Sequence, residues 1–105
     1  MRYAIVADIH ANLEALTAVL HDIERKGKID ELWCLGYVVG YGPDPGPCIE
    51  IIRRYGNVCV AGNHDLAVIG RVDTRYFNPH AAAAVSWTAK QLSPGNVQYL
   101  EKLPE

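Results

Sequence analysis

Three short apolar runs, each ending in a polar, glycine-marked loop, alternate with stretches of helical periodicity over the first two thirds of the chain. The runs are Arg2–Ala7, Glu31–Leu35 and Asn57–Ala61. Short, β-rich and nearly all apolar, they read as strands, and Arg2–Ala7 as one buried on both faces, as in parallel sheets. Between the first two, Leu13, Leu16, Val19, Leu20 and Ile23 recur at helical spacing; Asn12 is placed to cap that helix and Gly27 to stop it. A second helix opens at Asp44 or Pro45 and runs to about Tyr55, with Gly56 as its stop. The segment between, Gly36 to Pro47, holds four glycines and three prolines and must be a loop. The order β-α-β-α-β implies an α/β fold with a parallel sheet and right-handed crossovers. Beyond it, Asn78-Pro79 opens a helix to about Leu92, and Ser93-Pro94 opens a short last helix carrying Val97, Leu100 and Leu103.

In open α/β sheets, ligands bind outside the carboxyl ends of the strands. Here those ends carry Asp8-Ile9-His10, Gly36-Tyr37-Val38-Val39-Gly40 and Gly62-Asn63-His64-Asp65. Asp8 and His10 are two apart, so in extended backbone both side chains point the same way and can converge on one cation. An oxygen and a nitrogen donor together suit Mn, Fe, Zn or Ni better than Mg or Ca. Asn63 offers an amide oxygen as a neutral ligand. His64 can donate to a phosphate oxygen or protonate a leaving group, and Asp65 can hold the imidazole in orientation. Each motif alone also reads as a solvated turn rich in Asn, Gly and Asp. Two such motifs, each after its own strand, favour a shared site.

Composition narrows the setting. With 50% hydrophobic and 21% charged residues, 105 residues make one globular domain. A net charge of −2 gives no general pull on nucleic acid or anionic lipid. The apolar N-terminal run is too short for a signal sequence, and no run approaches a membrane span, so a cytoplasmic protein is expected. Cys34, Cys48 and Cys59 are odd in number and lack metal-binding spacing; Cys34 and Cys59 lie within apolar runs and read as small buried hydrophobes.

The motif order DIH, GYVVG, GNHD resembles that of calcineurin-like metallophosphoesterases, which carry D-x-H, G-D-x-x-G and G-N-H-[DE] after successive strands. IHANLEAL, VVGYGPDP and FNPHAAAAVSWT resemble the small prokaryotic phosphodiesterase-like branch. The resemblance spans essentially the whole chain. It implies the N-terminal half of an α/β/β/α sandwich and a two-metal phosphate mono- or diesterase. In that scheme Asp8 and His10 bind one metal, Asn63 binds the other, and His64, aided by Asp65, assists the phosphate. Apart from that scheme, Tyr41, Asp44 and the prolines of the second loop are candidates to line the substrate side, although loops of this composition are usually just turns.

Two departures stand out. Tyr37 occupies the position of the family's bridging aspartate, and without a shared anion two cations about 4 Å apart repel strongly. The family also continues into strands bearing a late G-H-x-H motif, whereas this chain ends at Glu105; His21 and His80 read as surface or capping residues rather than substitutes. Residues 1–105 are therefore expected to be a single truncated domain that holds one metal or none and is impaired in hydrolysis. The alternatives are a non-catalytic module for oligomerisation or for binding a phosphate or metal, and a fragment or prematurely ended reading frame. An uncovered sheet face predicts a homodimer or larger oligomer.

Overall fold

A computed structural model describes all residues from Met1 to Glu105. The elements run β1 (Tyr3–Val6), α1 (Leu13–Arg25), β2 (Glu31–Cys34), α2 (Pro45–Tyr55), β3 (Val58–Cys59), α3 (Asn63–Val68), a 3-10 turn (Thr74–Tyr76), α4 (Pro79–Gln91) and α5 (Pro94–Glu101). The sheet is parallel in the order β1-β2-β3, with Ile5 opposite Trp33 and Trp33 opposite Val58. This is the expected β-α-β-α-β half.

The helix starts follow local chemistry. Asn12 Oδ1 accepts from Ala15 N at 3.0 Å, Asn78 Oδ1 from Ala81 N at 2.8 Å, and Ser93 Oγ from Asn96 N at 3.1 Å. Each bond satisfies an amide that the first helical turn leaves without a partner. Pro45, Pro79 and Pro94 stand in first turns, where the missing N–H costs nothing.

Strand register sorts the side chains into two faces. Val6, Cys34 and Cys59 face the helices, joining Leu16, Ile49, Ile52, Val85 and Leu100 in one core. Tyr3, Ile5, Trp33, Leu35 and Val58 share the other face. There Ile5 is 58% and Leu35 52% exposed, because no layer among residues 1–105 covers them. β1 is thus not buried on both faces, as its composition suggests. It alternates between partly buried and exposed positions, its apolar residues being spent on both sides of a half-covered sheet. β3 is also shorter than the run Asn57–Ala61, since only Val58 and Cys59 pair with β2.

Candidate active site

The three strand-end loops do meet on one rim. The first is laced to the second by backbone bonds: Asp8 N to Gly36 O at 3.2 Å, His10 N to Tyr37 O at 2.8 Å and Ala11 N to Val38 O at 2.8 Å. Asp65, fully buried, joins the second to the third by accepting from Val39 N at 3.0 Å and Gly62 N at 2.9 Å. Burial pushes its carboxyl up from the usual carboxylate range, and the N–H groups of Gly62, Val39, Tyr37 and Val38 oppose that.

The backbone that aims the side chains is not extended. Asp8 (φ 55°), His10 (φ 49°), Ala11 (φ 56°), Tyr37 (φ 57°) and Tyr41 (φ 64°) all lie in the left-handed region, which ordinary residues rarely occupy. The expected alternation of i and i+2 side chains therefore does not apply. Asp8 and His10 are brought together by this turn instead, with Oδ1 and Nε2 4.0 Å apart. His10 Nδ1 lies 3.2 Å from Val39 O, which fixes the ring.

The motif Gly62-Asn63-His64-Asp65 differs from a simple turn. It opens α3, and the Asp65 carboxylate returns to the Gly62 amide as a cap. That use of Asp65 corrects the expected contact with His64: its oxygens are engaged by backbone amides, and His64 Nδ1 is enclosed without a partner. The His64 ring rests on Gly40, where any side chain would collide with Nδ1. Burial, then the neighbouring His10, lowers the His64 pKa below the ordinary imidazole value.

Aromatic rings fill the centre of the rim. Tyr37 lies across Gly62, whose lack of a side chain makes room for it. Ring centroids are 5.4 Å apart for His10–Tyr37, 5.1 Å for His10–His64, 5.6 Å for Tyr37–His64 and 5.0 Å for Tyr41–His64. Phe77 stacks on His64 at 5.1 Å. Nothing in the sequence aims Phe77 at this site; its position just before the Asn78 cap marks it only as a helix-entry hydrophobe.

Asp8, His10, Tyr37 and His64 thus share one rim, with Asp65 beneath it. Asn63 is exposed at the start of α3. His21 and His80 stand elsewhere: His21 lines an open groove of about 850 Å³ with Asp30, Arg54 and Tyr55 towards the N-terminal ends of the strands, and His80 is exposed in the first turn of α4. No three His, Cys, Asp or Glu side chains converge as a metal cage. The residues present do not fit a pair of ions. Asp8 and His10 offer one converging pair of donors, and the Tyr37 ring lies beside His10 and His64 at the centre of the rim.

The calcineurin-like phosphoesterase family model matches residues 1–102, and the chain belongs to that family. An uncharacterised protein of Methanocaldococcus jannaschii is 46% identical over 101 residues, covering 96% of this chain and 41% of its own length. A symmetrical bis(5'-nucleosyl)-tetraphosphatase of Erwinia tasmaniensis is 34% identical over 79 residues, covering 68% of this chain and 29% of its own. The crystal structure of a Sphaerobacter thermophilus metallophosphoesterase superposes with a TM-score of 0.81 at 50% identity, covering 99% of this chain and 42% of that one. The chain therefore spans about two fifths of the length of the first and third of these relatives. No helix is long and apolar enough to cross a membrane.

Proposed function

We propose that this chain engages phosphate esters at the Asp8–His10–His64 rim but hydrolyses them poorly, because Tyr37 displaces the bridging carboxylate. The carrying observation is the position of the Tyr37 ring, packed over Gly62 among His10 and His64. Family membership supports phosphate mono- or diester chemistry with a divalent ion such as Mn, Fe, Zn or Ni. The name of the Erwinia relative supports nucleoside polyphosphates as the first substrates to try. In this reading Asp8 and His10 hold at most one ion, Asn63 is a weak outlying donor, and His64 meets a phosphate oxygen with Asp65 fixing its loop. The protein works in the cytoplasm, as a homo-oligomer.

A second reading, a non-catalytic module that keeps the fold for binding or assembly, is favoured by the same filled rim. Hydrolysis of a chromogenic phosphodiester with added Mn²⁺ separates the two. The expected result is slow turnover by the native chain and a gain of about 10–100-fold in Tyr37→Asp, the range over which residues that tune a metal site act. Turnover at the metal blank in both proteins would remove the enzyme reading and leave the binding module.

A further inference from the structure

Below the rim, on the covered face of the sheet, Cys34 of β2 and Cys59 of β3 are directly opposite one another. Both are buried, at 0% and 8% exposure, and both are free thiols. Neighbouring strands lie about 4.8 Å apart, and disulfide-bonded α-carbons are usually about 4.4–6.8 Å apart. The backbone spacing of a directly opposed pair is thus already suitable. The thiols also interact. The neighbouring Cys59 holds Cys34 below the ordinary thiol range, and the neighbouring Cys34, with burial, pushes Cys59 above it, while Cys59 Sγ donates to Val60 O at 3.7 Å. Cys48 stands apart on α2, where burial, then Asp44 and Glu14, push its pKa up to about 11.

Access comes through the edge of the sheet. β3 has two residues, pairs with β2 alone, and continues into Ala61, whose N–H donates to Pro104 O at 2.7 Å. A strand of two residues held by β2 alone has few of the hydrogen bonds and contacts that resist local opening. Such an opening uncovers the pair to a small oxidant.

We propose that Cys34 and Cys59 are a dithiol site that hydrogen peroxide converts into a cross-strand disulfide. One sulfur attacks a peroxide oxygen, the O–O bond breaks, and the departing hydroxide takes the thiol proton as water, leaving a sulfenic acid. The second sulfur attacks the first, the S–O bond breaks, and its proton leaves with the hydroxyl as a second water. Two thiols lose two electrons and peroxide gains them. The bond would tie together the bases of the loops that begin at Gly36 and Gly62.

The test treats the folded protein with hydrogen peroxide, removes the excess with catalase, then unfolds and alkylates it. The expected intact mass before alkylation is lower by two hydrogens. One alkylated thiol per chain should remain instead of three, and peptide mapping should join Cys34 to Cys59. Cys48→Ser should show the same loss of hydrogens and Cys59→Ser should not. Three alkylated thiols, oxygen added without linkage, or a bridge through Cys48 would each overturn the proposal. The linkage map of the unsubstituted chain decides the matter however well Cys59→Ser folds.

Discussion

His64 is held with one ring nitrogen enclosed and unpartnered, a position that disfavours its charged form. Its folded pKa is lowered, so the unfolded chain takes up the proton first as pH falls. The stability it contributes is full above the ordinary imidazole range and is lost as pH drops through that range towards the lowered value. Nuclear magnetic resonance should show the His64 ring titrating below free imidazole, and His64→Gln should flatten the fall of thermal stability on acidification. The residue types at the rim were legible in the sequence, because strand-end motifs announce them. Their aim was not. Left-handed backbone at Asp8, His10 and Tyr37 is held by the hydrogen bonds between loops; Asp and His tolerate that region better than most residues, but tolerance alone does not place it at these positions.

At the scale of elements, α1, α2, α4 and α5 could be read closely, since each carries its own cap or proline and an apolar stripe. The short helix α3 was hidden because its cap comes from Asp65, a residue read as chemistry rather than as structure. The two faces of β1 are not legible in the sequence, because apolar composition records what a strand can bury, not what lies above it. In α4, Thr88 is fully buried and its hydroxyl has no partner. Valine has nearly the same shape and no such group. Thr88→Val should stabilise the protein by about 1 kcal/mol, raising the unfolding midpoint by about 4–8 °C in a domain of this size.

Taken whole, the molecule measures 43 × 24 × 24 Å and presents a sheet with one face under helices and one bare. Tyr3, Ile5, Leu35 and Val58 on that face favour self-association in water. Sedimentation is expected to find a dimer or larger species, and Ile5→Lys should shift it towards monomer; a stable native monomer at micromolar concentration would count against this. The buried Asp65 carboxylate has a different consequence, for motion. Two loops hang from one side chain, so they cannot loosen independently. Exchange of the Val39 and Gly62 amide protons with deuterated solvent should be slow in the native chain and should quicken in step in Asp65→Ala. The rim would then behave as a single hinged plate, and whatever it grips would feel both loops at once.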